Sequence, residues 1–147
     1  MKKTKQYLIL LTLSVFFYSG LCFGQATHVI TLNVAEDGSY SFSADPNTEV
    51  VDDSSPEAFT ILVYEDDEIE WEGIAASGAV VDIEKIRFPE DHKVFKNKDL
   101  EGKNNNGKKK AKGKVAKGKK NKTYKYIIDF IVEGESFSID PGLKVGQ

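Results

Sequence analysis

Apolar and polar residues alternate along much of the chain with a period of two, as they do in strands that bury one face. Residues 28–34 and 40–43 both follow this pattern, and the turn-forming sequence Glu36-Asp37-Gly38-Ser39 separates them. Strand-like segments joined by such a short polar connection predict a β-hairpin. We therefore expect a hairpin near the start of the folded chain.

A second hairpin is predicted further along. Residues 59–64 are rich in β-branched and aromatic side chains, and residues 68–72 alternate strictly between Glu and apolar positions. The acidic residues 65–67 lie between the two segments and are expected to form the turn. Ile69 and Trp71 then share the buried face.

The remaining patterned segments also resemble strands. Residues 80–88 alternate except for one slip between Ile83 and Ile86, which predicts a β-bulge. Residues 124–132 place five large apolar side chains on one face, and a turn at Glu133-Gly134-Glu135 leads into a last strand segment. Pro141 confines the chain there to an edge or a bend.

These short strands recur about every ten residues, and no 11-residue window has a helical stripe. This spacing predicts an all-β protein with a single β-sandwich over residues 25–147. Much of the core is expected from Val29, Leu32, Phe42, Phe59, Ile61, Ile69, Trp71, Ile83, Tyr126, Ile128, Phe130, Phe137 and Ile139.

Residues 1–24 have the organisation of an export signal. Three lysines precede an apolar run over residues 7–18, which is shorter than the roughly 20 residues that a membrane span needs. Cleavage is expected after Gly24 or, as a second choice, after Ala26. Lipid attachment at Cys22 and a retained anchoring helix are alternatives, but Leu21 does not suit a lipoprotein signal. The protein is predicted to be periplasmic or secreted, without a stable membrane span.

Charge is strongly segregated in the exported part. The whole chain has a net charge of −3, but residues 25–101 carry −14, residues 102–128 carry +11 and residues 129–147 carry −3. The basic part is low in complexity, and its like charges repel each other. Residues 102–123 are therefore predicted to form a disordered, lysine-rich loop inserted in the sandwich.

Clustered lysines concentrate polyanions through a local positive field. Flexible ammonium groups without arginine forks or interleaved aromatic side chains predict nonspecific, salt-dependent binding. For an exported protein, the partners would be polysaccharides, lipid headgroups, extracellular DNA or an acidic protein surface. The alternative is a solvated loop that neutralises its own acidic domain. The candidate polyanion-binding residues are Lys108, Lys109, Lys110, Lys112, Lys114, Lys117, Lys119, Lys120 and Lys122.

Residues 61–73 (ILVYEDDEIEWEG) resemble the cupredoxin pattern, in which a Val-x-Trp-type strand precedes the first copper ligand. The opening hairpin and the closing Tyr-x-Tyr strand are similar to those of small exported bacterial proteins of this fold. The resemblance implies a Greek-key sandwich. It does not carry copper chemistry with it, because a blue-copper site needs two His, a Cys and usually a Met. The closing hairpin contains no Cys, His or Met, and the segment that directly follows Trp71 (Ala75-Ala76-Ser77-Gly78) contains no His.

Other chemistry has weaker support. The acidic run between Glu65 and Glu72 could attract Ca²⁺ but lacks a loop that would wrap the ion, so a solvated strand face is the alternative. Cleavage after Gln25 would make His28 the third residue of a copper-chelating tripeptide. His92 lies alone in a polar loop. Since the sequence contains no nucleophile elbow, phosphate loop or zinc-protease motif, we predict no enzyme and no cofactor.

Taken together, the sequence predicts an exported, non-catalytic binding or envelope-associated protein. A metal-binding (Cu or Ca) or redox-associated cupredoxin-like protein is the alternative.

Overall fold

The computed structural model describes residues 24–89 and 93–146. The predicted signal segment up to residue 23, including Cys22, and the loop with His92 lie outside the described residues. The strands are, in chain order, β1 (Thr27–Val34), β2 (Tyr40–Ala44), β3 (Val50–Asp52), β4 (Thr60–Val63), β5 (Glu68–Ala75), β6 (Val81–Arg87), β7 (Asp99–Glu101), β8 (Lys103–Asn105), β9 (Lys108–Lys114), β10 (Thr123–Lys125), β11 (Ile127–Val132), β12 (Glu135–Ile139) and β13 (Gly142–Val145).

These strands form three sheets, and the all-β prediction is confirmed. The first sheet has the order β2-β1-β5-β9-β8, the second β10-β13-β4-β3 and the third β12-β11-β6-β7. Strands β1 and β5 run parallel, as do β4 and β13, whereas the other neighbours are antiparallel. No helix in the described ranges is long and apolar enough to cross a membrane.

One hydrophobic cluster draws side chains from all three sheets. At its centre the indole N–H of Trp71 donates to the hydroxyl of Tyr126 at 3.1 Å, and both side chains are buried. Phe88 and Phe95 pack beside them. The hydrogen bond satisfies two polar groups that would otherwise cost free energy in an apolar core.

The first hairpin and the bulge are confirmed. Strands β1 and β2 pair antiparallel, and Gly38 has the positive φ of 80° that the turn requires. In β6 the register shifts where Glu84 has no partner between Ile83 and Lys85. The predicted face of β1 was partly wrong, because Ile30 is buried whereas Val29 is only half-buried.

The second predicted hairpin was wrong. Strand β4 pairs with β13 and β3, whereas β5 lies between β1 and β9 in the first sheet. The turn at 65–67 therefore carries the chain from one sheet to another. Similarly, the segment 124–132 is divided between β10 and β11, which belong to different sheets although both contribute buried side chains, Tyr124 from β10 and Ile128, Phe130 and Val132 from β11, to the same core.

The largest correction concerns the lysine-rich segment. We expected a disordered loop over residues 102–123, but residues 103–114 form strands β8 and β9 at one side of the first sheet. Low complexity and mutually repelling charges had suggested disorder. In the structure, lysines of β9 have carboxylate partners on neighbouring strands.

Candidate polyanion-binding site

The lysine-rich segment begins with a tight hairpin. Asn106 and Gly107 join β8 to β9 and have φ values of 53° and 85°. Both positive angles are those of a type I′ turn, for which Asn-Gly is the preferred sequence. This dipeptide was a signal for a hairpin that reasoning from composition and charge overlooked.

Strand β9 has two different faces. Ala111, Gly113 and the following Val115 are buried, while Lys112 and Lys114 are exposed. A Cβ atom on Gly113 would lie 2.5 Å from Cδ1 of Leu100, so the strand packs close to the core there. The period-two pattern of small residues among lysines therefore identifies a strand with a buried face.

The lysines of β9 pair with glutamates of β5. The register places Lys112 opposite Glu70 and Lys114 opposite Glu68. We call the resulting set of ion pairs the charge ladder; its members are Glu68, Glu70 and Glu72 on β5 and Lys108, Lys110 and Lys112 on β9. Lys114 extends it to Asp66 at 2.9 Å.

Lys110 is the least exposed lysine in the ladder. Its Nζ lies 2.8 Å from Oε1 of Glu70 and 2.7 Å from Oε2 of Glu72. Hydrogen bonds to Glu70 and Glu72 raise the pKa of Lys110. Burial opposes ionisation of Glu72, but its contacts with Lys110 and Lys108 outweigh burial and lower its pKa. The pairs at the centre of the ladder are therefore held in their charged forms.

A further lysine connects β9 to the third sheet. The backbone N–H of Lys109 donates to Oδ1 of Asp82 at 2.6 Å, and its Nζ lies 2.7 Å from Oε1 of Glu84. The hydrogen bond to Glu84 raises the pKa of Lys109. Five of the nine predicted site residues thus have carboxylate partners within the domain: Lys108, Lys109, Lys110, Lys112 and Lys114.

The other four candidates lie beyond β9, in residues 116–122, which we call the lysine loop. Its backbone is fixed by hydrogen bonds from Ala116 N–H to the Val94 carbonyl (2.6 Å), from Lys119 N–H to the Tyr124 hydroxyl (2.8 Å) and from Asn121 N–H to the Val145 carbonyl (2.7 Å). Although it has no strand, the loop is anchored at several points along its length.

The lysine loop presents its ammonium groups to solvent. Lys117, Lys119 and Lys120 are exposed, and no carboxylate among the described residues lies within ion-pair distance of them. Nζ of Lys122 lies 4.7 Å from the ring centroid of Tyr124, a cation–π arrangement. Of the predicted site, Lys117, Lys119 and Lys120 are the lysines that no carboxylate among the described residues pairs with.

His28, the residue behind the copper alternative, is buried on β1. Its Nε2 lies 3.1 Å from Oδ2 of Asp67, and its Nδ1 lies 2.8 Å from Oγ1 of Thr48. The hydroxyl of Thr48 donates in turn to Asp45 at 2.8 Å. Both ring nitrogens are engaged by protein groups, so a metal ion would have to displace one of them.

Asp45 is the outer end of this chain of contacts. Burial opposes its ionisation, but hydrogen bonds from the Val29 N–H and the Thr48 hydroxyl together lower the pKa of the carboxyl. This series of hydrogen bonds is consistent with a structural role, because it satisfies buried polar groups between β1 and its neighbouring turns.

The acidic run behind the calcium alternative is divided by the fold. Asp67 is buried and faces His28, whereas Glu68 and Glu70 face lysines of β9. Within residues 24–89 and 93–146, no group of three or more His, Cys, Asp or Glu side chains is arranged to hold a metal ion.

Comparison with known proteins adds information on the fold alone. No protein-family model matches the sequence. A comparison with curated proteins also found no match. Among solved structures, the chain is similar to the inclusion body protein PixA from Burkholderia cenocepacia, with a TM-score of 0.62 and 9% sequence identity, over 86% of this chain and 99% of that one.

Proposed function

We propose that this protein is an exported, non-catalytic binding protein whose lysine loop contacts anionic polymers. The observation that carries the proposal is the contrast between the two halves of the lysine-rich segment. Strand β9 has its lysines paired with carboxylates, whereas Lys117, Lys119 and Lys120 are exposed on an anchored loop without such partners among the described residues.

An anchored loop favours binding for an entropic reason. Its backbone is already ordered, so an anionic polymer need only immobilise the lysine side chains. Residues 25–101 and 129–147 carry a net negative charge, which repels an approaching polyanion and so favours its contact with the exposed lysines of this loop. Since lysine is a point charge, the binding is expected to depend on charge density and salt rather than on sequence or sugar identity.

The proposal narrows the site that the sequence predicted. For the lysines of β9, we propose the alternative hypothesis, in which they neutralise acidic residues of their own domain. For the lysine loop, we propose the binding of polyanions. The similarity to PixA, at 9% identity, concerns the fold and does not enter the argument.

Chromatography on immobilised heparin tests the proposal with the exported chain beginning at Gln25. The loop variant K117Q/K119Q/K120Q is expected to elute at markedly lower salt than wild type. The matched control, K96Q/K98Q/K103Q, removes three exposed lysines outside the loop and should elute close to wild type. Equal elution of wild type and loop variant would refute the proposed site, and failure of wild type to bind at low salt would refute the function.

Export is tested separately. The full sequence is expressed in a bacterium, and the cells are fractionated into cytoplasm, membranes and exported material. Mass spectrometry of the exported form identifies its first residue and any lipid. Retention of the full-length mass in the cytoplasm would refute export.

A further inference from the structure

A cleft at the far end of the domain from the lysine loop has the opposite charge. It has a volume of about 390 Å³, and the residues that give it its chemistry are Tyr40, Phe137, Glu36, Glu133 and Glu135. The two aromatic rings are half-buried, and the three glutamates are exposed. Among the described residues, no basic side chain pairs with these glutamates.

Strand directions place the cleft and the lysine loop at opposite ends. Strand β5 begins beside Asp67, whose carbonyl accepts a hydrogen bond from Val115 N–H just before the loop. The same strand ends at Ala75, two residues before Ser77, which lines the cleft. One chain therefore cannot place its own loop in its own cleft.

We infer that the cleft binds the lysine loop of a second copy of this chain. Three exposed ammonium groups on the loop match three exposed carboxylates around the cleft. The half-buried rings of Tyr40 and Phe137 add an apolar surface that can pack against the aliphatic part of a lysine. An anionic ligand would be repelled by the glutamates.

Contact between two different patches at opposite ends is heterologous. Such contacts extend into head-to-tail chains unless the rotation between copies closes a ring. The inference rests on the proposed function in one respect, since it uses the same loop to bind anionic groups. It adds a specific partner, which is a second copy of the chain, and head-to-tail assembly.

Glu133 allows the cleft to be altered without loss of stability. It has φ of 53°, in the left-handed region, where Asn is better tolerated than Glu. The substitution E133N therefore removes a carboxylate and relieves backbone strain. The cleft variant E36Q/E133N/E135Q is expected to fold at least as stably as wild type.

Sedimentation velocity at low salt tests the inference with the chain that begins at Gln25. Wild type should show a weight-average mass that rises with concentration beyond the dimer. The loop variant and the cleft variant should each remain monomeric, with association weakened by about tenfold or more. Mixed in equal amounts, they should form a dimer and nothing longer, because only one complementary pair of ends remains.

Heparin binding by the same variants separates this inference from the proposed function. The cleft variant should bind heparin like wild type, because its lysine loop is intact. Wild type that binds heparin but stays monomeric at every concentration refutes the inference alone. Wild type that assembles as described but does not bind heparin refutes the polyanion function alone. Assembly that persists in both variants refutes the proposed contact between the lysine loop and the cleft.

Discussion

The ammonium group of Lys110 lies 2.7 Å from a carboxylate oxygen of Glu72 on the neighbouring strand. The side chains are only 21% and 18% exposed, so solvent screens this pair less than it screens an ordinary surface ion pair. The contact joins the segment with the highest positive charge to the most acidic strand. It explains why a lysine-rich sequence forms a regular strand.

Removal of Lys110 should destabilise the protein more than removal of a neighbouring lysine. K110Q leaves Glu70 and Glu72 half-buried without their shared partner, which should cost about 1–3 kcal/mol of unfolding free energy. K112Q removes a lysine with a side chain that is 52% exposed and should cost less than about 0.5 kcal/mol. Urea unfolding of both variants checks the difference, and equal costs would contradict a special role for Lys110.

Acidification should weaken the charge ladder. The pKa of Glu72 is lowered from its ordinary value of 4.5, so its contribution to stability is complete above that value. The contribution is lost as the pH falls through the lower pKa of the folded state. The melting temperature of wild type should therefore decrease below about pH 4.5, and E72Q should show a smaller decrease over the same range. Parallel melting curves for the two proteins would contradict this account.

The hydroxyl of Thr48, in the connection between β2 and β3, should contribute more to stability than the hydroxyl of Thr31 on β1. Thr48 is 9% exposed and lies between His28 and Asp45, so T48V leaves Nδ1 of His28 without its partner, removes one donor from Asp45 and should cost about 1–3 kcal/mol. Thr31 is half-buried, and its hydroxyl lies 3.5 Å from Glu72, at the limit of a hydrogen bond. T31V should therefore have little effect on chemical unfolding, and a similar loss in both variants would show that valine itself is poorly tolerated.

The two expected cleavage sites should yield proteins of different stability. The N–H of Ala26 donates to Asp67 at 3.0 Å, and its carbonyl accepts from the N–H of Glu68 at 2.8 Å. A chain that begins at Thr27 lacks both bonds, and it should lose about 1–3 kcal/mol relative to one that begins at Gln25. Thermal unfolding of the two chains checks this, with a chain that begins at Ala26 as the control. Equal melting temperatures would show that these bonds contribute little.

The local alternation of apolar and polar residues was sufficient to predict strands that pair with the next strand in the sequence. The hairpin of β1 and β2 and that of β11 and β12 follow from alternation and a short turn. The bulge in β6 follows from a slip in the same alternation. Buried positions such as Ile69 and Trp71 were also predicted, because the period of two assigns them to one face.

The sequence by itself therefore determined most of the strands outside the lysine-rich segment, most of their buried faces and the segregation of charge. Only the tertiary structure decided which strands are neighbours. Strands β5 and β9 are far apart in sequence, and the glutamates of one match the lysines of the other only after the chain has folded back. Alternation describes a single strand, whereas pairing depends on the free energy of contacts between distant segments. For that reason the lysines of β9 were expected to be solvated, and the fold assigned them to the charge ladder while leaving the lysine loop exposed.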